Sequence, residues 1–366
     1  VCLGLAVALL LGLAPAGVQA KAAKHPRPAK HLRPAKHPPK AAAQVREIPV
    51  HFTVINQDAS LVSCQTDGRT YAVAGTLFLP PGRSAPAGVT LYAHGLGYAG
   101  YFWDFTAVPG YDYAGYEAAH GHASVVIDRL GYGASGKPEG NASCIGGQAT
   151  VLHEIIGDLR SGSYSAAGAT HPRFSRIGLV GHSIGGMIAE VEAYSFGDID
   201  ALGVMDWDDA DYSPMAYSTF GSDVAGCGTG GEDQSAGGPD GYGPFGATTA
   251  DYDAIMFHGI APAVEAAANA MRTLDPCGDI TSVLEAAAID ATKVAAINVP
   301  IVFVWGSDDA IFPDQLPWAQ TQEALYRASP KVTNLELAGS GHAVTLELNA
   351  PLLQREMSAW LTANRL

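Results

Sequence analysis

Ile177-Gly-Leu-Val-Gly-His-Ser-Ile-Gly-Gly186 is the stretch whose reading decides the fold. Its apolar start, Ile177 to Val180, has the character of a buried strand. Gly181-His182-Ser183-Ile184-Gly185 is G-x-S-x-G, and Gly186-Met-Ile-Ala-Glu-Val-Glu-Ala193 reads as a helix. Strand, sharp turn and helix together lift the central serine above a sheet edge with its Oγ presented. Such a turn strains its central residue and brings positions two before and two after into near contact. Glycine at 181 and 185 removes that clash. The alternative reading is a Gly-Ser turn that matches by chance, so the rest of the chain has to supply strands around the serine and partners for it.

Upstream, Glu47–Val54 alternates as a strand and Tyr71–Leu79 is a second, closed by Pro80-Pro81-Gly82. With a turn around Thr66-Asp67-Gly68 they read as an antiparallel hairpin at a sheet edge. Gly88–Ala93 and Ala123–Ile127 are apolar, buried-type strands, and Gly147–Arg160 reads as a helix. Downstream come strands at Ala201–Met205, Ile301–Trp305 and Val332–Leu337, with helices at Gln315–Ala328 and Pro351–Ala363. From Tyr71 onward strands and helices alternate, which predicts an α/β domain over 44–366 with a mainly parallel sheet covered by helices on both faces. The interval 206–298 breaks that rhythm. It opens with Asp206, Asp208, Asp209 and Asp211, runs through a Gly-rich stretch from Gly221 to Gly246, and continues in Ala-rich helices at Pro262–Leu274 and Ile280–Ala296. It reads as a cap inserted over the edge where Ser183 emerges. The aspartates lack the glycine and terminal glutamate of an EF-hand loop, so a solvated or hinge role is expected over calcium binding.

Serine is a poor nucleophile without a base, the base needs an orienting group, and the developing oxyanion needs donors. After Ser183 the chain offers Trp305-Gly306-Ser307-Asp308-Asp309 at the end of one strand and Gly339-Ser340-Gly341-His342 after the last. Both fall at carboxyl ends of strands, where the ligand sites of open α/β sheets collect. With His94-Gly95 after the third strand and Asp128-x-x-Gly131-x-Gly133-x-Ser135 after the fourth, these motifs occur in order at the right strand ends. By them the chain from Glu47 to Leu366 resembles secreted α/β-hydrolase fold serine hydrolases of the esterase/lipase type.

The resemblance implies Ser183 as nucleophile, His342 as general base and then acid, and Asp309 as the orienting carboxylate. It also implies an oxyanion hole made by the backbone N–H groups of Leu96 and Ile184. Asp308 competes with Asp309, and the G-x-x-D spacing favours Asp309; Asp206, after the preceding strand, is a second competitor. His94 and His182 are expected to be structural, packing or hydrogen-bonding beneath the site, and Asp128 and Arg129 to fix loop geometry there. Tyr101, Phe102, Trp103, Met256 and Phe257 are candidates to line an acyl or aromatic pocket, core packing being the alternative. Implied is cleavage of small-molecule or lipid carboxylic esters through an acyl-enzyme. Acyl transfer to another alcohol and amide hydrolysis begin with the same step. A non-catalytic binding protein on this scaffold usually lacks a triad member, and this chain retains all three.

With 366 residues, 48% of them apolar, the chain is long enough for one large core plus an insertion. Val1–Ala20 is almost wholly apolar or small and ends Gly17-Val18-Gln19-Ala20, as a cleaved secretory leader would; a membrane anchor is the alternative, though the run is short and Pro15 interrupts it. Residues 21–43 repeat the hexads Ala23-Lys-His-Pro-Arg-Pro28, Ala29-Lys-His-Leu-Arg-Pro34 and Ala35-Lys-His-Pro-Pro-Lys40. The prolines forbid a helix, and a disordered basic arm able to touch an anionic surface weakly is expected; metal binding by its histidines is the lesser reading. The arm holds seven of the 21 Lys and Arg and no acid, so residues 44–366 carry 14 basic against 36 acidic groups, a net of −22. Nucleic-acid binding by that body is not expected. Cys64, Cys144, Cys227 and Cys277 form an even set after the leader, which suits two disulfides in an exported protein. Cys227 with Cys277, tying the Gly-rich loop to the cap helices, and Cys64 with Cys144 is the preferred pairing. No C-x-x-C occurs, and neither a metal nor an organic cofactor is signalled.

Overall fold

The computed structural model describes residues 44–82, 85–168, 171–209, 212–231, 239–312 and 316–366, with backbone alone for 316–320. The expected leader (1–20) and basic arm (21–43), and Asp211 of the acidic cluster, lie outside the described residues. In chain order the body begins with β1 (Arg46–Ile55), β2 (Thr70–Leu79), β3 (Gly88–Ala93), α1 (Tyr113–Ala119), β4 (Ala123–Ile127) and α2 (Ile145–Ser161). It continues with β5 (Ser165–Ala166), β6 (Arg176–His182), α3 (Ile184–Phe196) and β7 (Ala201–Met205). The insertion holds α4 (Pro214–Gly228), β8 (Tyr242–Gly243), α5 (Thr249–Met256), α6 (Pro262–Met271), β9 (Asp275–Pro276) and α7 (Cys277–Lys293). The sheet resumes with β10 (Ile301–Gly306), α8 (Leu316–Leu325), β11 (Val332–Leu337) and the closing α9 (Ala350–Asn364).

The main sheet has the order β11-β10-β7-β6-β3-β4-β2-β1-β5. From β11 to β4 every neighbouring pair is parallel. β2 joins β4 antiparallel, and β1 pairs β2 antiparallel from Arg46↔Leu79 to Ile55↔Thr70. The sequence shows why. Every residue of β3, β4, β7 and β10 is buried, as an apolar run flanked on both faces must be. β1 instead buries only Ile48, Val50, Phe52 and Val54, so one face meets the core and the other water. The expected hairpin is therefore present, although β5 pairs beyond β1 at Val50 and His51, so β1 is not the outermost strand.

Two departures from the sequence reading concern the insertion. The start of the Gly-rich stretch is not a loop but the second half of α4, which Ser213 caps by accepting from the Ala216 N–H with Pro214 in the first turn. Ala216, Phe220 and Cys227 bury one face of that helix. The acidic cluster is also not a solvated face: Asp206, Asp208 and Asp209 are all buried. Two disulfides, Cys64–Cys144 and Cys227–Cys277, join the β1–β2 loop to the start of α2 and the end of α4 to the start of α7. They close loops of 80 and 50 residues. In the chain-entropy account each stabilises the fold by about 4 kcal/mol. No helix among the described residues is long and apolar enough to cross a membrane.

Candidate active site

β6 runs between β3 and β7 in the centre of the sheet and delivers Ser183 at its carboxyl end. Ser183 has φ 55° and ψ −131°, a conformation L residues rarely hold. The Met205 carbonyl accepts its N–H at 2.8 Å, and its own carbonyl accepts from Gly186 at 2.7 Å. The turn is too tight for side chains beside it: a Cβ on Gly181 would stand 2.0 Å from the Gly185 carbonyl oxygen. Ile184 opens α3, so its N–H is one of the donors no helix can satisfy internally. The loop after β3 lies directly opposite. A Cβ on Gly95 would come within 2.8 Å of Ser183 Cβ, and the buried Leu96 follows it.

His342 follows β11 and Asp309 follows β10, and the two meet: His342 Nδ1 lies 2.7 Å from Asp309 Oδ2, both side chains buried. The other oxygen, Asp309 Oδ1, accepts the N–H groups of Ile311 (2.7 Å) and Phe312 (3.2 Å), which fixes the carboxylate. His342 Nε2 is buried and has no hydrogen-bond partner among the described residues, Ser183 Oγ included. Serine–histidine contacts of free enzymes are commonly long and tighten on substrate. Asp308 faces the other way, 41% exposed, with His258 at 3.8 Å. Asp206 lies behind the pair at φ 50° and accepts the Gly306 N–H at 2.8 Å. Burial and the neighbouring Asp309 hold its carboxyl above the usual carboxylate range. It bonds to no histidine among the described residues.

Both remaining histidines serve as supports. His182 Nε2 lies 2.8 Å from the His342 carbonyl, and its ring stacks on Phe102 at 4.1 Å. His94 Nε2 accepts the Arg129 N–H at 3.1 Å. Burial first, then the neighbouring His342 or Arg129 charge, pushes each well below the ordinary imidazole value, so both stay neutral. Arg129 donates through Nε to the His94 carbonyl and through Nη1 to Asp279 of α7, a fully buried ion pair. Asp128 accepts from the Gly100 and Ala134 N–H groups.

Of the pocket candidates, Phe102 and Trp103 are buried, and Trp103 packs into the core against Tyr92 (4.9 Å) and Tyr113 (5.5 Å). Tyr101 is partly buried, with its hydroxyl 3.3 Å from the Gly97 carbonyl. Met256 is buried at the end of α5, where its carbonyl accepts from Ala343, next to His342. Phe257 sets its ring edge against Tyr252 at 5.9 Å.

Sequence reasoning missed the residues by which the insertion holds the Leu96 loop. Asp275 Oδ1 accepts the Gly97 N–H at 2.8 Å, the Thr273 N–H donates to the Gly97 carbonyl, and the Thr273 hydroxyl donates to the Tyr98 carbonyl. Burial pushes the Asp275 carboxyl up to about 7. These partners stand 178 positions apart in the Asp275 case, and no local pattern announces them. Ser183 is 3% and His342 0% exposed.

A strained serine at a helix start and a buried histidine–carboxylate pair thus stand at carboxyl ends of strands in one mainly parallel sheet. Residues 91–354 match the profile described as the Alpha/beta hydrolase family. Among curated proteins nothing matches. Similar solved structures include a thermophilic esterase from Thermogutta terrifontis with malate bound (TM-score 0.59, 19% identity, 85% of this chain and 100% of that one). A putative aryl esterase from Burkholderia cenocepacia gives TM-score 0.56 and 19% identity over 84% of this chain and 99% of that one. The Paleococcus ferrophilus monoacylglycerol lipase gives 0.55 and 16% over 80% and 99%. At these identities the likeness is one of fold.

Proposed function

This chain belongs to the alpha/beta hydrolase family, and from that premise we propose that it is a serine hydrolase cleaving carboxylic esters through an acyl-enzyme. The observation that carries the reading is the buried His342–Asp309 pair at 2.7 Å, with Nε2 left unpartnered at the same end of the sheet as the strained Ser183. In the first half-reaction Ser183 Oγ attacks the ester carbonyl carbon while His342 Nε2 takes its proton. The charge that develops on the carbonyl oxygen is met by the N–H groups of Leu96 and Ile184. The tetrahedral species collapses, the C–O bond to the alcohol breaks, and His342 returns the proton to the departing oxygen. Water then repeats the sequence on the acyl-serine, releasing the acid and restoring Ser183. Asp309 holds the imidazole with Nδ1–H toward itself and Nε2 facing the serine, and stabilises the imidazolium that forms twice per cycle. Esterases and a lipase among the similar structures favour a small-molecule or lipid ester as substrate. Two disulfides favour an oxidising compartment outside the cytosol.

Treating the purified protein with a fluorophosphonate and mapping the adduct tests the reading. Label on Ser183 is expected, lost in Ser183→Ala along with ester turnover, and absence of that label would remove the proposal. Turnover of p-nitrophenyl esters from acetate to palmitate then places the enzyme between short-chain esterase and lipase.

A further inference from the structure

Behind the helix that follows Ser183, three carboxylates from three separate elements meet in the interior. Glu190 comes from α3, Asp209 from the chain after β7, and Asp290 from α7 of the insertion. One oxygen of each lies within 4.8 Å of the others. All three residues are buried, at 0%, 5% and 0% exposed respectively. Some of their lone pairs are used. Trp207 Nε1 donates to Asp209 Oδ1 at 3.0 Å, and Gln322 Nε2 to Asp209 Oδ2 at 2.9 Å. The Tyr194 hydroxyl donates to Asp290 Oδ1 at 2.6 Å, and the Tyr326 hydroxyl to Glu190 Oε1. Glu190 Oε2 and Asp290 Oδ2 are buried and have no donor among the described residues. No Lys or Arg pairs with any of the three among the described residues.

Three formal negative charges in a dry interior have to be neutralised, by protons or by a cation. Protons answer that poorly. A proton shared between Glu190 and Asp209 would still leave Asp290 Oδ2 without a donor. A cation instead satisfies the two leftover oxygens together. The ligand set is all oxygen, which selects a hard ion. Three protein carboxylates suit calcium, which accepts about six to eight oxygens in flexible geometry, over magnesium, which keeps several waters and is usually held by one or two carboxylates. We propose that Glu190, Asp209 and Asp290 hold a calcium ion that fastens α7 of the insertion to α3 and to the end of β7. The site lies apart from Ser183 and His342, and it stands or falls independently of the esterase reading.

The test uses the full chain stripped with EDTA and then given calcium alone. One equivalent of calcium retained after gel filtration, by elemental analysis, is expected. Terbium, which takes calcium sites, should luminesce on excitation of tryptophan, because Trp207 hydrogen-bonds directly to Asp209, and calcium should quench that emission by displacement. Thermal unfolding should shift upward by about 5 °C at a hundredfold excess over Kd. Asp290→Asn and Glu190→Gln should each weaken binding at least tenfold. Absence of both retained calcium and sensitised terbium emission in the unmutated protein would overturn the proposal and leave a protonated cluster. Undiminished binding in both variants would overturn it by placing the ion elsewhere, and the terbium arm decides the matter if either variant fails to fold.

Discussion

Asp308 and Asp309 are neighbours in the chain and opposites in environment. The first is exposed beside His258, and the second is buried against His342 with two N–H groups on its other oxygen. Asp309→Asn keeps the shape but presents an amide where imidazole Nδ1–H needs an acceptor, and the proposal expects kcat for ester hydrolysis to fall by about 10,000-fold. Asp308→Asn should leave it within about twofold. Steady-state kinetics on one p-nitrophenyl ester checks both, and near-normal turnover in Asp309→Asn with loss in Asp206→Asn would move the acid to Asp206. At this scale the sequence was informative where chemistry is carried by short patterns. Gly306-x-x-Asp309 and Gly341-His342 sit at strand ends that the apolar runs had already located. Asp275 and Asp279 were invisible, because each acts through a partner far along the chain, Gly97 in one case and Arg129 in the other.

The central strands were readable because burial on both faces leaves an unbroken apolar run, as in Ala201–Met205; the edge strand Val332–Leu337, mostly not buried, was found by its alternation, and both have the bounds expected of them. The insertion was harder to read for a physical reason. α4 contains Gly221, Gly226 and Gly228, each of which disfavours a helix by about 1 kcal/mol relative to alanine, so local propensity pointed to loop. Tertiary contacts overrode it, through the buried Phe220 and the Cys227–Cys277 bond. α5 did carry a signal in Thr248-x-x-Asp251, which forms a capping box. Since a Cβ at Gly221 or Gly226 would meet nothing within 4 Å, Gly221→Ala and Gly226→Ala should each raise stability by about 0.5–1 kcal/mol. Urea denaturation midpoints read this directly, and a lowered midpoint would mean that these glycines serve motion of α4.

Across the whole molecule, buried acids make stability depend on pH. Glu117 of α1 is buried, and burial pushes its carboxyl up to about 8 against the opposing effect of the Ser358 hydroxyl. Its folded value is raised, so its contribution is fully present below the unfolded value of about 4.5 and is lost as pH climbs through 8, at roughly 1.4 kcal/mol per unit. Buried neutral His94 and His182 act in the opposite sense, since their folded values are lowered and stability falls as pH drops below about 6.5. The informative quantity is therefore a difference. Glu117→Gln should gain on the unmutated protein between pH 5 and pH 8 in urea unfolding, and a gap independent of pH would place the Glu117 titration outside that range. The burial of the site has a kinetic counterpart. With Ser183 3% and His342 0% exposed, a fluorophosphonate should reach Oγ only after the surrounding chain opens. Opening is then an elementary step whose rate is blind to the concentration outside. In stopped-flow labelling with rising fluorophosphonate, the observed rate should level off, and reagents with different leaving groups should share one plateau: the breathing frequency of the molecule, read out through the proposed nucleophile.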